Sequence, residues 1–161
     1  MIELRPATRD EVNALVERWH RHHKPVRAAR FGALAELGGE LVGGVLVATP
    51  VARALAEDPR VLEVVRLVCR GGDRNVGSRL LGAAWQAAKA IGCRRMVSYV
   101  RVDETGAVYR AAGWRAVAKT KARSWPTERH SYLPGVIAPA SEPIARVRWE
   151  IGTPERKEMQ R

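Results

Sequence analysis

The stretch Val61–Cys69, VLEVVRLVC, is rich in β-branched residues and nearly continuous in apolar character. Such a run reads as a strand buried on both faces, because a half-buried strand alternates apolar with polar side chains. Gly71 and Gly72 follow at once, and Asn75 stands where a helix N-cap belongs. Beyond it Val76, Leu80, Leu81, Ala84, Trp85, Ala88 and Ile91 fall on one helical stripe, which ends at the C′ glycine Gly92. Arg94–Val100 reads as another strand. Residues 61–100 are therefore expected to form strand, glycine turn, helix, strand. Such a unit makes a parallel pair with a right-handed crossover.

The flanks frame this unit. Ile2–Arg5 reads as a short strand ended by Pro6. Thr8 and Glu11 form a capping box for a first helix carrying Val12, Leu15, Val16 and Trp19, which runs to about His20 and stops before Pro25. Phe31–Glu36 and Glu40–Ala48 are expected to be the arms of a hairpin joined by Leu37-Gly38-Gly39, with Gly43-Gly44 a bulge or a site of close approach. Val51–Glu57 reads as a short helix closed by Asp58-Pro59. Glu104–Ala112 is a further short helix ending at Gly113, and Trp114–Ala118 and Ala145–Ile151 are strands. Residues 119–143 hold four prolines and little periodicity. A loop of that length points to a function or to an unread element. Residues 1–151 are read as one domain and 152–161 as a frayed tail.

Of the 161 residues, 46% are apolar and 28% charged, a globular balance. The longest apolar run, Leu41–Ala48, is too short to span a membrane. Met1–Pro6 carry no apolar segment of secretory type, and Cys69 and Cys93 make no disulfide framework, so a reducing, cytosolic compartment is expected. The 28 Lys and Arg against 17 Asp and Glu leave a net charge of +11. That excess suits a polyanionic partner, nucleic acid or a phosphorylated cofactor, and equally a solvated basic surface.

The glycine turn has chemistry of its own. A turn feeding a helix N-terminus gathers unpaired backbone N–H groups which, with the helix dipole, attract an anion. The segment runs Arg70-Gly71-Gly72-Asp73-Arg74-Asn75-Val76-Gly77-Ser78-Arg79. Its glycines allow close approach, and Arg70, Arg74 and Arg79 add charge suited to a pyrophosphate. No Gly-Lys-Ser/Thr follows, so it is not a P-loop, and the Gly-x-Gly-x-x-Gly dinucleotide fingerprint is absent. A plain strand–helix turn with surface arginines remains the alternative.

Element order and two motifs resemble the Gcn5-related N-acetyltransferases. Arg74-Asn75-Val76-Gly77-Ser78-Arg79 follows that family's Gln/Arg-x-x-Gly-x-Gly/Ala turn and departs from it at Arg79. Tyr109-Arg110-Ala111-Ala112-Gly113-Trp114 follows its tyrosine-helix motif. A narrower likeness is to the phage Mom-type DNA-modification proteins. It is carried by His20 with its basic neighbours, Phe31-Gly32, Gly39–Gly43, Glu63–Leu67, Ser98-Tyr99, Asp103, Gly106, the Tyr109 and Trp114 pair, and Arg148-Trp149. The resemblance implies an α/β (α+β) fold: a mixed, mostly antiparallel sheet of six to seven strands with a central parallel pair, flanked by three to four helices. It also implies an acyl-CoA cofactor, acetyl-CoA by default, and adenine in DNA as acceptor. The pantetheine arm would lie between Val61–Cys69 and Arg94–Val100, past Val68 and Cys69, with the pyrophosphate on amides from about Gly72 to Gly77. Tyr109 would protonate the leaving thiolate or orient the sulfur; a core tyrosine packing the short helix is the plainer reading.

For a general base the candidates are Glu63 and Asp103, since an alkylammonium acceptor must lose a proton before attack. Glu63 lies in an apolar strand, where a carboxylate needs a partner. Arg66, three residues on, faces the opposite side of an ideal strand. His20, His22 and His23 find no cluster to complete a metal site. With Arg18, Arg21, Lys24, Arg27 and Arg30 they read as a substrate-contacting basic patch or a solvated helix end. Lys119, Lys121, Arg123, Arg129 and His130, interleaved with Trp125 and Tyr132, suit a nucleic-acid clamp in which cations track phosphates and rings stack bases. The substrate contacts expected are thus His20, His23, Arg30, Arg66, Ser98, Tyr99, Trp125 and Arg129. Acyl transfer to DNA, acyl transfer to a small amine, an aminoacyl-tRNA or a protein, and a non-catalytic nucleic-acid-binding module all stay open at this point. So does the oligomeric state, a homodimer included.

Overall fold

A computed structural model describes residues 1–20, 23–122 and 144–153. The chain order is β1 (Ile2–Ala7), α1 (Arg9–Trp19), β2 (Phe31–Leu37), β3 (Glu40–Ala48), α2 (Arg53–Ala56), β4 (Val61–Cys69), α3 (Val76–Ala90), β5 (Arg95–Arg101), α4 (Ala107–Ala111), β6 (Arg115–Thr120) and β7 (Arg146–Gly152). The strands form one seven-stranded sheet in the order β1-β2-β3-β4-β5-β7-β6. All neighbours are antiparallel except β4 with β5. The expected mixed sheet with a central parallel pair is what the chain builds.

Several boundaries differ from the sequence reading, each for a physical reason. Pro6 does not end β1 but sits opposite Ala33 within it. That strand is at the sheet edge, where a missing N–H is tolerated. Asn75 precedes α3 without a side-chain cap; its backbone is left-handed, φ 66°, and carries the turn instead. Thr8 and Glu11, by contrast, make both bonds of the capping box. Ile91 is 65% exposed, because the helix ends at Ala90 and the apolar stripe turns away from the core. Lys119 and Thr120 belong to β6, which runs two residues past the expected strand end at Ala118.

α1 and α2 cover one face of the sheet and α3 and α4 the other. Val12, Leu15 and Val16 of α1 pack on Leu34, Leu46 and Val68, and Leu55 of α2 packs on Val61 and Val97. The larger core lies under α3, where Leu80, Leu81, Ala84 and Ala88 meet Val45, Val47, Leu62, Val64 and Met96. Gly43 passes beneath Val76 and Leu80 of α3, and Gly44 beneath Val12 of α1. The register shift between β2 and β3 leaves Val42 as the extra residue, so the glycine pair is the site of close approach and the bulge falls just before it.

A second bulge decides the site. Leu46 opposes Arg66 and Val47 opposes Val64, leaving Val65 as the extra residue on β4. Glu63 and Arg66 oppose Ala48 and Leu46, two residues apart on β3 and therefore on one face. Strand spacing alone put the two side chains on opposite faces; the inserted residue brings both to the α1 side.

Candidate active site

β4 and β5 pair only where Val61–Glu63 meet Arg95–Val97, and then part. β4 continues to Cys69 with its other edge paired to β3. From Val64 onward its β5-facing edge, roughly 17 Å long, has no strand across from it. Buried backbone groups demand partners, and Ser98 supplies one, donating to the Val64 carbonyl at 3.1 Å. The gap opens into a cleft of ≈ 1130 Å³ whose walls come from both faces of the sheet. The cleft therefore passes through the sheet.

On the α3 and α4 side stand Leu67, Cys69, Ser98, Val108 and Tyr109. The Tyr109 and Ser98 hydroxyls are 2.9 Å apart. Ser98 has one proton and gives it to Val64, so Tyr109 is the donor in this bond. Burial pushes the Tyr109 phenol up to about 12. Its ring stacks on Trp149 at 5.8 Å and meets Trp114 edge-on at 5.4 Å. Gly106 starts α4 with φ 65°, and a Cβ there would lie 2.2 Å from the Trp149 ring. Only glycine lets the helix that carries Tyr109 sit this close. Burial, with the charge of Asp73, raises the Cys69 thiol to about 11, so it lines the cleft as a neutral group.

At the end of β4, Gly71 and Gly72 are exposed and the chain enters α3 with no side-chain cap and no acid in the first turn. Its leading amides are thus open to an anion. The Ser78 hydroxyl donates back to the Asn75 carbonyl at 3.2 Å. A Cβ on Gly77 would come within 2.7 Å of Val108, so this glycine lets α3 and α4 meet. Arg74 and Arg79 are exposed, whereas Arg70 is held by Glu40 at 2.8 Å and Asp73 at 3.1 Å. The Val76 side chain belongs to the α3 core and the Val68 side chain to the α1 core, which leaves their backbones for any ligand.

On the α1 side Glu63 is 7% exposed and accepts the Val51 N–H at 2.9 Å. Burial pushes its carboxyl up, against the Val51 bond and the charges of Arg66 and Arg146. Arg66 donates to the carbonyls of Lys24 at 2.7 Å and Val65 at 2.6 Å. Tyr99, its phenol also raised by burial, lines the same wall. His20 and His23 lie at the mouth edge-to-face, 4.8 Å between rings, with the His23 N–H donating to His20 Nδ1 at 3.3 Å. The structure thus brings Glu63, Arg66, Tyr99, His20 and His23 together, with Ser98 and Tyr109 across the gap.

Asp103 is exposed in the turn after β5, paired with Arg101 at 2.8 Å, and is not part of the cleft wall. Arg30 is exposed beside β2, outside the wall, its N–H on the Val47 carbonyl. Trp125 and Arg129, with Arg123, His130, Tyr132, Arg21 and His22, lie outside the described residues. Sequence reasoning missed Val51, which reaches Glu63 only through the fold, and Arg146, which a strand inserted between β5 and β6 delivers to the cleft.

The raised carboxyl of Glu63 has a measurable consequence. A carboxyl whose folded pKa exceeds its unfolded value favours the fold while protonated and weakens it once ionised. Glu63→Gln keeps an acceptor for Val51 and carries no charge. It is expected to raise Tm at about pH 8 and to leave it unchanged below about pH 4. Thermal unfolding at the two pH values checks this; equal Tm values at pH 8 would count against it.

Residues 1–136 match the model of the Mom protein family. The chain belongs to the Mom protein family. No curated protein matches this Mom-family chain. Among solved structures it is similar to the IAA acetyltransferase from Bacillus cereus, with TM-score 0.65, 13% identity, and coverage of 95% of this chain and 100% of that one. A Bacillus subtilis acetyltransferase in complex with CoA gives 0.62 at 18% identity, covering 94% and 97%. A GNAT family acetyltransferase from Elizabethkingia anophelis with acetyl-CoA bound gives 0.59 at 15%, covering 94% and 98%. At these identities the likeness is one of fold. Both resemblances read from the motifs, to Mom-type proteins and to the acetyltransferase fold, hold. No described helix of the chain is long and apolar enough to cross a membrane.

Proposed function

We propose that this Mom-family chain is an acyl-CoA-dependent N-acyltransferase that modifies a nucleobase amine in DNA. The observation that carries the reading is the parting of β4 and β5 around a passage with Tyr109 and Ser98 on one side and Glu63 on the other. Structures of the same fold that hold CoA or acetyl-CoA support the cofactor, and the family supports DNA as acceptor.

The residues present fit an acyl-CoA. The free backbone edge from Val64 to Cys69 offers amide partners to an extended arm, and the uncapped start of α3, with Arg74 and Arg79, suits a diphosphate. Bound there, the cofactor supplies a thioester whose acyl carbon is open to an amine. With an acyl-CoA held there, Ser98 would be able to turn its proton from the Val64 carbonyl to Tyr109, leaving the Tyr109 hydroxyl free to donate to the leaving sulfur. An exocyclic base amine is uncharged, so the chain need not deprotonate it before attack. Glu63 takes up the proton the nitrogen loses as the new bond forms, and burial, by raising its carboxyl, makes it a stronger base than an exposed carboxylate. The base must leave the stack to enter a passage through a sheet.

Two measurements test this. CoA or acetyl-CoA at ~100 times its dissociation constant should add about 2.7 kcal/mol of stability; no shift would leave a non-catalytic binding module. Mass spectrometry of nucleosides from DNA incubated with protein and acyl-CoA should then show an acylated base. An unmodified nucleoside pool, together with modified small amines, tRNA or protein, would move the acceptor out of DNA.

A further inference from the structure

We infer that Arg66 and Arg146 form a clamp for a phosphodiester of the acceptor strand at the α1-side mouth of the cleft, an assignment that rests on the acyl-transfer reading above. The two arginines stand on opposite banks of the parted pair. Arg66 is turned to the α1 face by the Val65 bulge. Arg146 opposes Arg101 on β5 and Thr120 on β6, and Arg148, two residues on, opposes Tyr99. Register therefore puts Arg146 on the face of Tyr99, and both arginines line the cleft. Arg146 is close enough to oppose the charge on Arg66, and both act on Glu63.

Elsewhere the arginines near acids are paired with them. Arg5, Arg60, Arg70, Arg94 and Arg101 each hold a carboxylate within 3.2 Å. Among the described residues Arg66 and Arg146 have none within 4.0 Å, although Arg66 is half-buried and fixed through Nε and Nη1. Two guanidinium groups lining one cleft beside one carboxylate leave an excess positive charge that an anion would balance. The start of α3 is a separate place: it follows the far end of β4, whereas Arg66 lies on the opposite face from α3. A tetrahedral phosphate presents oxygens to two donors at once, which a pair of guanidinium forks matches. Held there, a backbone phosphate would leave its base free to enter the passage toward Glu63.

The test is binding of a fluorescein-labelled single strand of about twelve nucleotides, by anisotropy across a salt series with CoA present. The Arg66→Gln/Arg146→Gln double variant should weaken binding about 10- to 100-fold and flatten the log–log salt slope by about 0.7, the share of one phosphate on a single strand. Lys89→Gln, at the far end of α3, should leave the slope unchanged. Replacing the phosphate beside the target base with a neutral methylphosphonate should weaken the wild type and not the double variant. Parallel deoxyribose and ribose strands tell which backbone is preferred. A double variant with wild-type slope and affinity would overturn the clamp. If CoA produces no stabilisation, the acyl-transfer reading fails, while the slope comparison, repeated without CoA, still decides whether the arginines hold a phosphodiester.

Discussion

Tyr109→Phe is expected to lower kcat about 100-fold while leaving the dissociation constant for acetyl-CoA unchanged. The physical reason lies in where the phenol sits. Burial holds it near pKa 12, against about 8.5 for an ordinary thiol. Complete proton transfer to a leaving thiolate would run uphill by roughly 5 kcal/mol. The hydroxyl is therefore suited to donating a hydrogen bond to developing charge on sulfur, with the proton following as that charge grows. Removing one oxygen leaves the ring on Trp149 and Trp114, and leaves Ser98 bonded to Val64. The stability cost should stay near 1 kcal/mol. Thiol release measured under saturating acyl-CoA and DNA separates the two effects. Wild-type kcat with a lowered Tm would make Tyr109 a packing residue. Since the phenol stays protonated well beyond neutrality, its ionisation should not shape the pH–rate profile below about pH 10. The acidic limb should instead follow Glu63, falling as pH drops through its raised pKa.

Glu150→Ala should destabilise the protein by about 3–5 kcal/mol. Glu150 is 0% exposed, 3.0 Å from Arg148 and 3.6 Å from the equally buried Arg95. It lies in β7 between Val97 of β5 and Arg115 of β6. Truncation strips the buried Arg95 and the partly buried Arg148 of their shared carboxylate, and a buried charge that loses its counter-ion is far costlier than the intact cluster is favourable. Urea denaturation with an unchanged m-value measures the loss. A change below about 1 kcal/mol would show that the cluster is solvated enough to behave like a surface pair. Arg148 also acts on Tyr99, so the cluster backs that wall of the cleft.

What was legible in advance was local. The parallel unit, the capped first helix, the glycine turn and the Tyr109 helix were readable because periodicity, capping and glycine signals act within a few turns of chain. The same locality explains the errors. Pro6 reads as a strand end until the strand is known to lie at an edge, and Asn75 reads as a side-chain cap until its own backbone turns left-handed. Asp103 and Glu63 were equal candidates by residue type. Only the fold sets one inside the passage and the other in a solvent-facing turn.

The sequence by itself determined the elements, the anion-ready start of α3 and the candidate carboxylate and phenol. Tertiary structure decided which of them meet. Side chains alternate along a strand, so one inserted residue, Val65, reverses the face of everything beyond it and brings Arg66 to the side of Glu63. Pairing is non-local, so the seating of β7 between β5 and β6, and the arrival of Arg146 at the cleft, follow from the free energy of completing the sheet rather than from any pattern around residue 146.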